Sequence, residues 1–148
     1  MIKVRLTLLT IALCAVGLSS VRGEADWLSD FSRAQAEAKA GHKMLLLDFT
    51  GSDWCIWCRR LESEVFSKPK FEEYAKENLV LMRVDFPRAK PLRDEVRRQN
   101  QSLAAKFEIE GFPTVVVLDE EGKQVGLLGY VAGGPEAFIR ELEKVPKG

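Results

Sequence analysis

The chain has 148 residues, 46% of them hydrophobic, with 22 basic and 22 acidic side chains, one histidine and three cysteines. That length and apolar content suit one globular domain, and no internal repeat or low-complexity tract is present. Balanced charge gives no argument for nucleic acid or for an acidic membrane surface as a partner.

Residues 1–23 have the layout of an export signal peptide. Lys3 and Arg5 form a short basic start, and Leu6 to Leu18 are apolar except for Thr7, Thr10 and Gly17. Small residues follow, and Val21-Arg22-Gly23 offers a cleavage point before Glu24. The apolar stretch is shorter than the roughly 20 residues that cross a bilayer, which favours a cleaved leader over a membrane anchor. Cys14 lies inside it, behind Leu13 rather than a small residue, and reads as filler. Cleavage removes Lys3, Arg5 and Arg22, leaving 19 basic and 22 acidic residues and a net charge of −3 on residues 24–148. Such a domain would be periplasmic or secreted, where disulfides persist.

Asp26 to Ala40 carries Trp27, Phe31, Ala34 and Ala38 at helical spacing, with Asp26, Ser29 or Asp30 as the cap and Gly41 as the stop. Met44–Phe49 reads as a central buried strand and Thr50-Gly51-Ser52-Asp53 as a turn. From Cys55 onward, Leu61, Val65 and Phe66 give a helical stripe that should end near Pro69, and residues 70–78 form another helix. Leu79–Phe86 is a second strand, stopped by Pro87. Residues 87–98 form a polar, basic insert with Arg88, Lys90, Arg93, Arg97 and Arg98, read as a solvated helix face or as a docking patch for an acidic partner, and a short helix is expected over Ser102–Phe107. Val115–Leu118 is a third strand, Asp119–Gly122 a hairpin turn and Gln124–Leu128 its partner strand. Gly133-Gly134-Pro135 opens a last helix with Phe138, Ile139 and Leu142 inward. The order α-β-α-β-α-β-β-α describes an α/β fold with a mixed four-stranded sheet.

Cys55 and Cys58, in Asp53-Trp54-Cys55-Ile56-Trp57-Cys58-Arg59, follow a buried strand and a turn and open a helix. At a helix N-terminus, free N–H groups and the dipole favour a thiolate. Three readings compete for the pair: half a zinc site, a structural disulfide, or a redox dithiol. Zinc needs four nitrogen or sulfur ligands and His42 is the one histidine. A bridge closing so small a loop is a weak staple. Redox chemistry is therefore favoured, and no metal is expected.

Leu47-Asp48-Phe49 before Trp54-Cys55-x-x-Cys58, then Gln99-Asn100 ahead of Ala104-x-Lys106-Phe107-x-Ile109-x-Gly111-Phe112-Pro113-Thr114, then a hairpin and helix, resemble the thioredoxin-like family. The resemblance covers residues 26–145 and is closest to the exported branch similar to the C-terminal domain of the bacterial transmembrane disulfide reductase. It implies that Cys55 is the exposed attacking thiol and Cys58 the more buried resolving thiol. It also implies that Pro113 is a cis-proline packed against the pair, and that Trp54 covers the site with Ile56, Trp57 and Phe112 on the substrate-binding surface. Asp48 would be a buried proton acceptor for Cys58. The loop from Asp48 to Cys55 is one residue longer than the usual pattern. If that residue shifts the strand register, Asp48 faces away and Asp53 becomes the nearest carboxylate.

Ile56-Trp57 replaces the common Gly-Pro and leaves out the histidine of strongly oxidising relatives, which argues for a reductase or relay. The expected function is an exported thiol–disulfide oxidoreductase without cofactor. Its partners would be protein thiols and disulfides and a thiol electron donor such as a membrane disulfide reductase, and it would act as a monomer. A disulfide isomerase or oxidase, a redox-idle binding or chaperone module, and metal delivery through the cysteines are the alternatives.

Overall fold

A computed structural model describes residues 25–147. The leader expected over 1–23, and Cys14 with it, lie outside the described residues.

Asp30 decides where the chain first turns helical. Its backbone is extended and its carboxylate accepts the Arg33 N–H at 2.7 Å, so α1 spans Phe31–Gly41. His42, with φ at 51°, ends it. Trp27–Leu28, left outside the helix, becomes a two-residue strand (β1) parallel to Leu81–Met82. Of the caps open to this helix, Asp26, Ser29 and Asp30, the structure uses the last, and the residues before it add a fifth strand to the four expected.

β2 (Met44–Thr50) is buried at all seven positions, as a strand covered on both faces must be. The helix after the cysteines departs from expectation. α2 (Ile56–Leu61) passes into a π-helical turn, Glu62–Phe66, in which the Ser67 N–H donates to the Glu62 carbonyl five residues back at 2.9 Å. α3 (Pro69–Asn78) and β3 (Leu79–Asp85) follow. α4 covers Asp94–Lys106, so the second half of the expected insert is helix and the true loop is residues 87–93. Only Asn100 and Leu103 of α4 are buried, too thin a stripe to stand out among its charges.

β4 (Thr114–Leu118), β5 (Gln124–Leu128) and α5 (Gly134–Glu143) complete the fold. The strand order is β1-β3-β2-β4-β5, with β1, β3 and β2 mutually parallel and β4 and β5 antiparallel to their neighbours. Alternation along β2 divides the core. Met44 and Leu46 face Leu61, Val65, Phe66, Phe71 and Phe138 on one side. Leu45, Leu47 and Phe49 face Ala34, Ala38 and Leu103 on the other. Two packed layers hold β2 at the centre, and the cysteine pair leaves from its C-terminal end.

Candidate active site

Cys55 caps α2: its backbone is extended, and its Sγ accepts the Cys58 N–H at 3.2 Å. The two sulfurs are bonded as a disulfide, with Cα atoms 5.2 Å apart. Both residues are buried, at 7% and 5% exposure. The expectation of an exposed Cys55 over a buried Cys58 is not met in this oxidised state. What separates them is position, since Cys55 sits before the helix with a backbone donor aimed at its sulfur. Between them Ile56 and Trp57 are 62% and 49% exposed, an apolar pair standing out from the surface.

Trp54 closes one flank. Its indole N–H donates to the Phe86 carbonyl at 2.9 Å, and its ring meets Phe112 edge-on at 5.8 Å. Phe86 in turn stacks on Phe112 at 5.2 Å. Gly51 lets the indole lie close, because a Cβ there would stand 2.6 Å from Trp54 Cζ2. The Gly51 carbonyl also accepts the Trp54 and Cys55 N–H groups at 3.2 and 2.8 Å, which shapes the turn into α2. The Phe112–Pro113 peptide bond is cis, and both residues are half-buried. On the opposite flank Trp57 packs on Tyr130 at 5.2 Å, with the Arg60 guanidinium against both rings. Glu64 holds Arg60 at 2.8 Å and accepts from the Tyr130 hydroxyl.

Asp48 keeps its register. It pairs with Arg83 and Val115 and shares the β2 face of Leu46, the face that α2 covers. The extra loop residue is absorbed in the turn after Thr50 and does not slip the strand. Asp48 is 4% exposed, and its Oδ1 has no hydrogen-bond partner. The Arg83 Nε lies 3.8 Å from Oδ2, beyond hydrogen-bond reach. Arg83 is engaged elsewhere, bonded to Glu62 and lying over the Trp27 ring at 4.4 Å. Burial therefore outweighs Arg83, and with Glu62 and Asp85 adding negative charge the Asp48 pKa is pushed up to about 7. A cavity of about 190 Å³ is lined by Cys58 and Thr50 together with Arg83 and Glu62, the charges that act on Asp48.

Asp53 does not stand in for Asp48. Its carboxylate accepts the backbone N–H groups of Arg88 and Ala89 at 2.7–3.1 Å, tying the loop 87–93 to the cysteine turn. Those N–H groups hold its carboxyl below the usual carboxylate range. Among the described residues, no group of three or more His, Cys, Asp and Glu is placed to hold a metal ion.

The family model described as a thioredoxin-like domain matches residues 31–146. The chain belongs to the thioredoxin-like family. It is 35% identical over 117 residues to the disulfide bond reductase DsbH of Chlamydia pneumoniae, covering 79% of this chain and 70% of that one. A solved structure titled DsbH oxidoreductase superposes with a TM-score of 0.78 at 34% identity, covering 82% of this chain and 84% of that one. The thiol:disulfide interchange protein DsbD of Haemophilus influenzae (strain PittGG) is 26% identical over 111 residues. That match covers 73% of this chain and 17% of DsbD's length.

With its paired cysteines, this thioredoxin-like chain is a protein thiol–disulfide oxidoreductase. Three members of its site were not foreseen from the sequence: Arg83, Glu62 and Tyr130. Arg83 was detectable as the basic residue interrupting the apolar run of β3, and Glu62 as the residue one helical turn after Cys58. Tyr130 joins the site only through the tertiary fold.

Proposed function

We propose that the protein is an exported reductase or electron relay for protein disulfides. The observation that carries this reading is the Cys55 sulfur at the α2 cap, receiving the Cys58 N–H, above a β2 face that buries the carboxyl of Asp48. In the reduced state the Cys55 thiolate attacks one sulfur of a target disulfide. A Cys55–target bond forms, the target S–S bond breaks, and the departing sulfur takes a proton. Cys58 then gives its proton to Asp48 and attacks the Cys55 sulfur. The Cys55–Cys58 bond forms, the Cys55–target bond breaks, and the released target sulfur takes up a proton, so that the target leaves as a dithiol, two electrons richer.

Asp48 suits the acceptor role because a group with a pKa of about 7 exchanges protons readily at working pH. Trp54, Ile56, Trp57, Phe112 and Pro113 form the surface that meets the target. A thiol donor returns the electrons, and the similarity to DsbH and DsbD supports a membrane disulfide reductase in that role. The signal-like residues 1–23 support export, and no helix among the described residues is long and apolar enough to cross a membrane.

The equilibrium potential of the Cys55–Cys58 couple against glutathione tests the direction. A value near about −270 mV, as in thioredoxin, is expected; one near about −120 mV would make the protein an oxidase.

A further inference from the structure

The loop 87–93 is built into the rim of the active site. Its root, Phe86, stacks on Phe112 and accepts the Trp54 indole N–H. Its next turn hangs on the Asp53 carboxylate through the Arg88 and Ala89 N–H groups. The Arg88 guanidinium lies 3.8 Å from the Trp54 ring centroid, which fixes a cation directly above the residue that precedes Cys55. Behind it a groove of about 440 Å³ runs between the loop and α4. Arg88, Lys90 and Arg97 line it together with the apolar Phe86, Pro87 and Leu92, and no acidic side chain does.

We propose that this groove docks an acidic polypeptide segment flanking the disulfide of the protein's partner. The proposal rests on the thiol–disulfide reading above and adds to it the class of partner. Charge complementarity carries it. Arg88 and Lys90 have no carboxylate partner among the described residues, and Arg97 has only Asp94 of its own helix, an exposed pair at 2.7 Å. Asp53, the acid bonded to the loop, is occupied by backbone donors. Three cations thus stand over an apolar floor on a domain whose net charge, once residues 1–23 are gone, is −3. A bare anion would use the cations alone, whereas a peptide carrying carboxylates uses both floor and rim. Because Asp53 and Trp54 directly precede Cys55, a segment seated there arrives beside the sulfur that attacks.

The test uses two synthetic peptides in which serine replaces cysteine, one with three glutamates around the serine and the other with glutamines at the same places. Each is titrated into the oxidised protein and followed by amide chemical shifts. At low salt the glutamate peptide should bind about tenfold more tightly than its counterpart, with shifts centred on Arg88, Ala89 and Lys90. The difference should shrink to within about twofold near 0.5 M salt, where screening is short-ranged. Lys90→Glu combined with Arg97→Glu should abolish the preference. Equal binding of the two peptides, binding of neither at low salt, or shifts centred on Trp57 and Tyr130 would overturn the proposal. The peptides carry no sulfur, so this result is independent of the potential measurement that tests the redox reading.

Discussion

The Arg83 guanidinium stops 3.8 Å short of the Asp48 carboxylate because Glu62 and the Trp27 ring already hold it. The acid therefore lies in the core with a cation in view but not in contact. In the fold it keeps its proton up to about pH 7, whereas the unfolded chain releases it near 3.8. Between those values the folded state binds more protons, so stability is greatest below the lower value and falls as pH rises through the upper one.

Asp48→Asn removes that titration. The variant should match the parent near pH 4 and exceed its stability at pH 8 by on the order of 4 kcal/mol, measured by denaturant unfolding. A gain of the same size at both pH values would show that the carboxyl is not the cause. Reduction of a protein disulfide by the same variant should slow, and its rate should lose the pH dependence around 7.

Cys55 should be the first of the pair to react in the reduced protein, since its sulfur faces the helix donors. Mass spectrometry after brief alkylation should find the label on Cys55, and Cys58→Ser should accumulate mixed disulfides with targets. Labelling that begins at Cys58 would reverse the assignment of attacking and resolving thiols.

Gly51→Ala places a methyl group against the Trp54 indole. The ring must move off its seat and lose the bond to the Phe86 carbonyl, at a cost of about 1–3 kcal/mol. A red-shifted tryptophan emission and a lower denaturation midpoint are expected together. An unchanged midpoint would mean that the turn yields without disturbing Trp54.

Asp53→Ala should release the loop. Its carboxylate bridges are strongest when ionised, and its lowered pKa keeps them intact until pH falls below the ordinary carboxylate range. Limited trypsin digestion should cut the variant after Arg88 much faster than the parent. Equal cleavage would show that Phe86 and Pro87 hold the loop unaided.

The parts legible in the sequence were those with a strong local pattern. Met44–Phe49 and Val115–Leu118 are apolar runs bounded by turns, and Phe138, Ile139 and Leu142 mark one face of the last helix. The cysteine spacing marked the site, but the side on which Asp48 faces stayed open, because the extra residue before Cys55 could be taken up in the turn or in the strand. Other features have no local signature. Two residues are too few to show a strand period, which hid β1. The first turns of α4 are almost wholly polar, so its start was placed late. The Asp53 latch uses backbone donors, which any sequence supplies. Nor does spacing reveal that Cys55 and Cys58 are about equally buried when bonded, since burial depends on the tertiary fold.

β2, buried at every position and paired on both sides, should be the last segment to exchange its amide hydrogens, opening only with global unfolding. The helix that bears the sulfurs is tied at both ends: it leaves the turn after β2 and runs on through Leu61 into the π-helical segment, whose Val65 and Phe66 lie in the core. A target therefore meets the pair at the first turn of that helix, where Ile56 and Trp57 stand exposed, while the far end stays locked. The chemistry of sulfur exchange is thus mounted on the most slowly exchanging part of the molecule.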